Sequence, residues 1–132
     1  MQVSIVSPEE EVWRGDADMV VARSPEGEFG IMRGHIPFLA ALVPGRVAVV
    51  TGNQREEFFV PGGFLEASGS RDDYHVIILA DSAENLADID IAEAKRLADE
   101  ASRRRDEDTD ERAEAEMRVA LARVEIAESR GH

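Results

Sequence analysis

The residues that break or bend secondary structure are confined to the first two thirds of this chain. Every proline, every aromatic residue and every glycine except Gly131 lies before residue 88 of the 132-residue sequence. Proline and glycine punctuate short strands, whereas a segment without them can form long helices. The sequence therefore divides, near residues 86–88, into a strand-forming domain of residues 1–87 and a helical domain of residues 88–132.

The first domain has the pattern of a β-sandwich. Short β-branched or aromatic runs are separated by turn sequences such as Pro25-Glu26-Gly27 and Pro61-Gly62-Gly63, at spacings of about ten residues, which favours an antiparallel sandwich or barrel. No helix-length pattern lies between the runs, which argues against a parallel α/β sheet. The strands are predicted around residues 3–5, 19–21, 47–50, 58–60 and 76–79.

The second domain has the pattern of two paired helices. Asp90 with Glu93, and Asp108 with Glu111, have the spacing of capping boxes, which mark helix starts. The acidic segment 106–110 lies between two apolar repeats and predicts a turn, so we expect an antiparallel helical hairpin. The predicted seams consist of Ala87, Ile91, Ala94, Ala98 and Ala101 with Leu97, and of Ala113, Met117, Ala120, Val124 and Ala127 with Leu121.

These seams are mostly alanine, which limits their stability. A buried leucine contributes roughly 1.5–3 kcal/mol, whereas one methyl group contributes only about 0.8 kcal/mol. We therefore expect the hairpin to need a surface to lie on, and to be able to leave it.

The net charge of −13, from 28 Asp and Glu against 15 Lys and Arg, excludes two classes of partner. Nucleic acids and anionic membrane surfaces both attract clustered cations. The start of the sequence shows no signal peptide, and no apolar run approaches the roughly 20 residues that a membrane span needs, so we expect no direct membrane insertion. The lack of cysteine excludes disulfides and thiolate metal sites.

Catalytic patterns are absent from the sequence. The three histidines, His35, His75 and His132, stand in no pattern that activates a nucleophile or gathers metal ligands. We therefore expect neither an enzyme active site nor a metal site, and composition alone predicts a binding or interaction module.

Several segments resemble the epsilon subunit family of F-type ATP synthases. The most specific is Gly-Glu-Phe-Gly-Ile-Met-Arg-Gly-His-Ile-Pro-Phe-Leu at residues 27–39. The other matching segments, in the family's order and spacing, are residues 3–8, Trp13-Arg14-Gly15, residues 62–66, residues 79–84 and Ile89-Asp90.

This resemblance implies a fold and a role. The fold is a sandwich of two five-stranded sheets followed by a two-helix hairpin. The role is that of a non-catalytic rotor subunit in the central stalk, which binds the γ subunit, sits on the c-ring and couples proton translocation to ATP synthesis. The hairpin of bacterial members can extend into the α/β catalytic head and restrain ATP hydrolysis. The implied location is peripheral, at the cytoplasmic face of the bacterial cell membrane.

The resemblance also places a c-ring-facing loop. Glycine permits close backbone approach, and the charged side chains offer polar contacts, although an ordinary turn would have a similar composition. The residues implied are Glu28, Gly30, Ile31, Arg33, Gly34, His35 and Pro37.

Some family members bind ATP between sandwich and hairpin, and this chain retains part of that motif. Glu93 stands where the motif has an arginine, and Val119 replaces a second phosphate-facing residue. A carboxylate near a polyphosphate is repulsive, so we expect no cofactor, and ATP binding is disfavoured. The residues that still match are Glu84, Ile89, Asp90, Ala94 and Arg123.

An extended hairpin would meet acidic segments of the head, so basic residues of the second helix are implied inhibitory contacts. These are Arg112, Arg118, Arg123 and Arg130. The same arginines could equally serve solubility and helix pairing. Two other functions remain open from the sequence: a free-standing nucleotide-sensing module, and an unrelated adaptor.

Overall fold

Ten strands are followed by two long helices. The computed structural model describes residues 1–108 and 110–130. The predicted architecture, a β-sandwich with a helical hairpin, is confirmed. The elements are β1 (Gln2–Val6), β2 (Glu11–Asp16), β3 (Met19–Ser24), β4 (Gly27–Met32), β5 (Phe38–Leu42), β6 (Gly45–Thr51), β7 (Gln54–Val60), β8 (Gly63–Ser70), β9 (Asp73–Ala80), β10 (Glu84–Asn85), a 3-10 turn (Leu86–Asp88), α1 (Ile91–Glu107) and α2 (Glu111–Glu128).

The strands form two five-stranded sheets. The first sheet has the order β2-β1-β9-β8-β5, and the second has the order β10-β7-β6-β3-β4. One pair departs from the predicted antiparallel pattern, because β1 and β9 run parallel. A parallel pair requires a long connection, and most of the sandwich lies between these two strands. Side chains of both inner faces form the core, including the fully buried Val3, Ile5, Val20, Ile31, Leu65, Val76 and Ile78.

The segment predicted as a c-ring-facing loop is half strand. Residues 27–32 form β4, which pairs with β3 from Ser24↔Gly27 to Met19↔Met32. Only residues 33–37 connect β4 to β5. Within β4, Ile31 is 1% exposed and belongs to the core, so the expectation that Ile31 faces a partner is wrong.

The helix caps differ from the sequence prediction at one position. Asp90 caps α1 by accepting a hydrogen bond from the Glu93 amide at 3.1 Å, as predicted. The second cap is Asp110, whose carboxylate accepts from the Ala113 amide at 2.8 Å. Asp108 instead ends α1. Because α1 continues through Glu107, the first two residues of the turn predicted at 106–110 are helical.

The seam between the helices is also narrower than predicted. Ala94, Ala98, Ala101 and Ala127 are buried, whereas Ala87, Ile91 and Leu121 are exposed. Ile91 is the first residue of α1 and Ala87 precedes the helix, so neither lies where the helices pair. The result is a hairpin joined mainly through alanines.

The hairpin lies on the second sheet through α2, which contacts β6, β7 and the 3-10 turn. Ala48 and Phe59 are almost fully buried, yet neither belongs to the sandwich core cluster. Both occupy strands that α2 covers, and they alternate with inward-facing neighbours such as Val47 and Phe58. The hairpin thus covers an apolar patch on the outside of the sandwich.

Candidate functional site

The tip loop, residues 33–37, lies at the end of the sandwich opposite the docked end of α2. It follows Met32, which pairs with Met19 at the far end of β3 from Ser24. Met32 and Ile36 expose 59% and 73% of their surface, and Gly34 has a positive φ of 84°. Sequence reasoning predicted Arg33, Gly34, His35 and Pro37 correctly as loop residues. Glu28 and Gly30 are exposed on β4, but Gly30 lies in mid-strand opposite Val21. Glu28 lies opposite Arg23 at the other end of the strand, so the expectation that Glu28 shares the surface of the loop residues is wrong.

The tip is held in place by short polar contacts. The His35 Nδ1–H donates to the Ile36 carbonyl oxygen at 2.8 Å, and the His35 amide donates to the Met32 carbonyl oxygen at 3.1 Å. Nearby, the Met1 ammonium donates to Asp16 at 2.9 Å. That hydrogen bond and charge lower the pKa of Asp16, with a smaller contribution from Arg33. These hydrogen bonds fix the conformation of the loop. Its surface combines the polar side chains of Arg33 and His35 with the exposed apolar side chain of Ile36.

The outer face of the first sheet carries an apolar patch that sequence reasoning did not predict. Phe64 on β8 pairs with Leu79 on β9, and these side chains are 55% and 56% exposed. Leu39 and Ile77 expose apolar surface in the adjacent row, on either side of the exposed Glu66. The signal in the sequence was the unbroken apolar run at residues 76–79, because a strand with one wet face alternates. We call Leu39, Phe64, Ile77 and Leu79 the open face.

Two arginines fasten α2 to the sandwich. Arg46 on β6 donates from Nη2 to the Ser129 carbonyl oxygen at 3.0 Å and also contacts the Ser129 hydroxyl. Arg46 also pairs with Glu57 at 3.0 Å, and both side chains are nearly buried. Since α2 has no basic residue in its last turn, Arg46 supplies the cation that favours a helix C-terminus.

The second fastening joins two of the predicted nucleotide residues. The Arg123 guanidinium donates to both Glu84 oxygens, at 2.7 and 3.3 Å. Ala94 lines the same interhelical groove as Arg123, together with Val119. Asp90 is occupied as a helix cap, and Ile89 lines a second cleft together with Glu84. The structure therefore brings Glu84, Arg123 and Ala94 near one another, but Glu84 already neutralises the cation.

The cleft that contains Ile89 and Glu84 is acidic. Trp13 and Phe58 form part of its wall, and the remaining lining includes Glu10, Glu56 and Asp88. Carboxylates at these positions repel phosphate groups. The exposed Glu93 adds a further negative charge at the start of α1.

The other implied inhibitory arginines lie on exposed positions of the second helix and just beyond it. Arg112 and Arg118 form pairs along α2, with Glu116 at 3.4 Å and Glu114 at 3.9 Å. Arg130 is exposed beyond the helix end. Arg123 differs from these three, because its side chain is largely buried against Glu84.

Chemically reactive side chains are not assembled in the part of the chain that the structure describes. His75 meets the Ser68 hydroxyl at 3.1 Å, and among the described residues no carboxylate joins this pair to complete a triad. Residues 1–108 and 110–130 contain no group of three or more side chains arranged to hold a metal ion. Over the same residues, neither helix has the length and apolarity needed to cross a bilayer. His132 lies outside the described residues.

A β-sandwich with an open apolar face, a glycine-bearing tip and a docked hairpin defines a binding subunit. Residues 1–86 match the family model for the β-sandwich domain of the ATP synthase delta/epsilon chain. The ATP synthase epsilon chain of Hydrogenovibrio crunogenus is 43% identical over 129 residues, which cover 95% of this chain and 87% of that relative. The chain belongs to the ATP synthase epsilon chain family.

Two further comparisons agree. A relative from Propionigenium modestum, named a sodium-ion-specific epsilon chain, is 37% identical over 99% of this chain and 96% of its own length. A chain of the Euglena gracilis mitochondrial ATP synthase, solved with OSCP, F1 and c-ring, has a TM-score of 0.79 at 25% identity, over 98% of this chain and 80% of that one. The resemblance drawn from the motifs is confirmed, and with it the expected role as a non-catalytic subunit of the central stalk.

Proposed function

We propose that residues 1–87 bind the γ subunit through the open face and the c-ring through the tip. By turning with both, the chain couples ion translocation, which the motif resemblance gives as proton translocation, to ATP synthesis. The observation that carries this proposal is the open face itself. Apolar patches of this kind on a soluble domain mark interaction sites. Its position beside the c-ring would place the chain peripherally at the cytoplasmic face of the bacterial membrane.

The layout of the sandwich supports two separate contacts. The open face belongs to the first sheet, while α2 covers part of the second. The tip lies at the end of the strands away from Arg46 and Glu84. A ring bound at the tip would therefore leave the hairpin on the side that faces the catalytic head.

The test is binding to γ by a chain with a charge in the open face. Phe64→Glu places a carboxylate at the centre of the patch, and we expect γ affinity to fall about 30-fold, since central interface residues each contribute on the order of 2 kcal/mol. Leu121→Glu is the matched control, because Leu121 is a similarly exposed apolar residue on the hairpin. Equal γ affinity of Phe64→Glu and the unaltered chain would contradict the assignment.

We further propose that residues 88–132 are a regulatory element that restrains ATP hydrolysis when released toward the α/β head. The support is the form of the docking: an alanine seam, one ion pair at Arg123 and one clamp at Arg46. Such a contact is specific but reversible, because each of the two fastenings consists of a few hydrogen bonds. In the docked form Arg112, Arg118 and Arg130 are exposed, and Arg123 becomes available only on release.

The brake is tested by ATP hydrolysis of the head with γ, measured alone, with the full chain, and with residues 1–87. We expect the full chain to slow hydrolysis and the truncated chain not to, with binding of both confirmed in the same samples. If both bind and neither slows hydrolysis, the hairpin is no brake. If the full chain does not bind at all, the rotor role itself is wrong.

A further inference from the structure

The β8–β9 hairpin reaches the same end of the sandwich as the tip loop. Its strands pair up to Ser70↔Asp73, so the turn residues Arg71 and Asp72 project beyond the sheet. Gly69 makes this possible, since its φ of 112° is unfavourable for other residues and a Cβ there would overlap the Asp73 carbonyl oxygen. The position of Arg71 and Asp72 at this end of the molecule therefore depends on the glycine at residue 69.

Tyr74 joins this hairpin to the tip loop. Its side chain is 3% exposed, and its hydroxyl donates to the Ile36 carbonyl oxygen at 3.1 Å. Ile36 is the most exposed large apolar residue among the described residues. The buried Tyr74 thus holds the backbone of Ile36 in place through this hydrogen bond.

Arg71 lies over the other side of the same loop. Its Cγ would be 3.6 Å from a Cβ built on Gly34, so the arginine stem packs on the bare backbone of that residue. Any side chain at Gly34 would occupy the space between loop and arginine, and the positive φ there also favours glycine. The stem of Arg71 therefore lies against Gly34, in the middle of the tip loop that also carries Arg33, His35 and Ile36.

The combined surface has a distinct chemistry. The whole chain is strongly acidic, and this end also carries Asp16 and Asp72. Two arginines from different loops, Arg33 and Arg71, nevertheless lie here, at the same end as the exposed Met32 and Ile36. Arginine forms forked hydrogen bonds with carboxylates, and methionine and isoleucine contribute apolar contact. The matching partner surface is a polar loop that presents carboxylates around a small apolar depression.

We propose that the β8–β9 turn forms the second half of the c-ring-binding surface, with Arg71 as a contact residue and Tyr74 as the residue that positions the tip loop. This inference rests on the proposed rotor function and adds a segment that the sequence motifs did not include. Arg71 would pair with a carboxylate on a polar loop of the ring.

The contact is tested by binding of the full-length chain to purified c-ring with γ. We expect Arg71→Glu to weaken binding about tenfold at low ionic strength, and the loss to shrink in high salt because exposed charges are screened. Arg103→Glu makes the same change of charge on the exposed end of α1 and should bind as the unaltered chain does. If the unaltered chain binds γ but gains nothing from the ring, the proposed ring contact fails; if it gains affinity and Arg71→Glu loses none, only the present inference fails.

The positioning role is tested by amide hydrogen exchange of Tyr74→Phe. This variant keeps the buried ring and removes one hydroxyl, so the core amides of Val76 and Ile78 should exchange as before. We expect the His35 amide, which is bonded to the Met32 carbonyl oxygen, to exchange about fivefold faster, and ring binding to weaken. Unchanged exchange at His35, or equal acceleration throughout the sheet, would overturn the positioning role.

Discussion

Arg123 is the residue whose role depends most on the position of the hairpin. In the docked form its guanidinium donates two hydrogen bonds to Glu84 and is largely shielded from solvent. Because Glu84 occupies the side of the guanidinium that carries Nε and Nη2, a carboxylate of the catalytic head or a nucleotide phosphate would compete with Glu84 for that side. Every gain in head binding from Arg123 is therefore reduced by the free energy needed to break the pair with Glu84.

Ionisation of Tyr74 should lower the stability of the fold at alkaline pH. Burial raises the pKa of Tyr74 above its ordinary value, which is near 10. A raised pKa means that the folded state disfavours the phenolate, so the contribution of Tyr74 to stability is complete below pH 10 and is lost as the pH rises through the folded pKa. We expect unfolding free energy to fall above pH 10.

This is measured by following ionisation of the chain's single tyrosine by ultraviolet absorbance, alongside urea unfolding at each pH. In Tyr74→Phe the decline of stability above pH 10 should be smaller. A phenol that titrates at the ordinary value while the chain remains folded would contradict the burial argument.

At the scale of elements, the end of α2 is stabilised by a charge from the sheet beneath it. Arg46→Met removes the donor to Ser129 and one of the cations that pair with the nearly buried Glu57, which also pairs with Arg55 at 3.3 Å. Removing one partner of a buried ion pair costs about 3 kcal/mol. We expect a loss of that order in urea unfolding, with faster amide exchange in α2.

A double substitution separates charge burial from packing. In Arg46→Met with Glu57→Leu, no carboxylate is left buried, so most of the unfolding free energy should return. Arg105→Met is the matched control, because Arg105 is exposed and pairs with the exposed Asp106, so its replacement should have little effect on stability. Equal losses in the single and double variants would show that the pair is not what stabilises this end.

The elements were largely predictable, and the exceptions have physical reasons. Apolar runs marked the central strands, and the lack of glycine and proline marked both helices. The strand character of residues 27–32 was hidden because its glycines and charges resemble a turn, while pairing with β3 is a long-range effect. Two aspartates competed as the cap of α2, and local spacing alone favoured Asp108 over Asp110.

At the scale of the whole molecule, the open face and the surface that α2 covers lie on different sheets. We expect Phe64→Glu to lower γ affinity while leaving the amide exchange of α2 in the free chain unchanged. Arg46→Met should do the reverse, with faster exchange in α2 and unaltered binding of the sandwich to γ. Distant sites normally behave additively, so a cross effect of either variant would show that the two surfaces are coupled.

The candidate site was only partly predictable at this scale. The tip loop was visible in the motif at residues 27–39, although Ile31 proved to be core. The open face was not predicted, because the outward direction of Phe64 and Leu79 depends on the register of β8 with β9. The role of Tyr74 was likewise invisible, since residues 36 and 74 meet only in the folded chain.

The hairpin also shields the sheet on which it lies. Phe59 and Ala48 are almost fully buried on strands that α2 contacts, and the alanines between the two helices are buried where the helices face each other. Undocking therefore exposes two apolar surfaces to water at once, one on the second sheet and one on the hairpin. Chains with a free hairpin should for that reason be a small fraction of the population, and they should tend to self-associate. A lasting release requires a receptor that covers what has been uncovered, so the surroundings of the hairpin, more than the hairpin itself, determine how long it remains free.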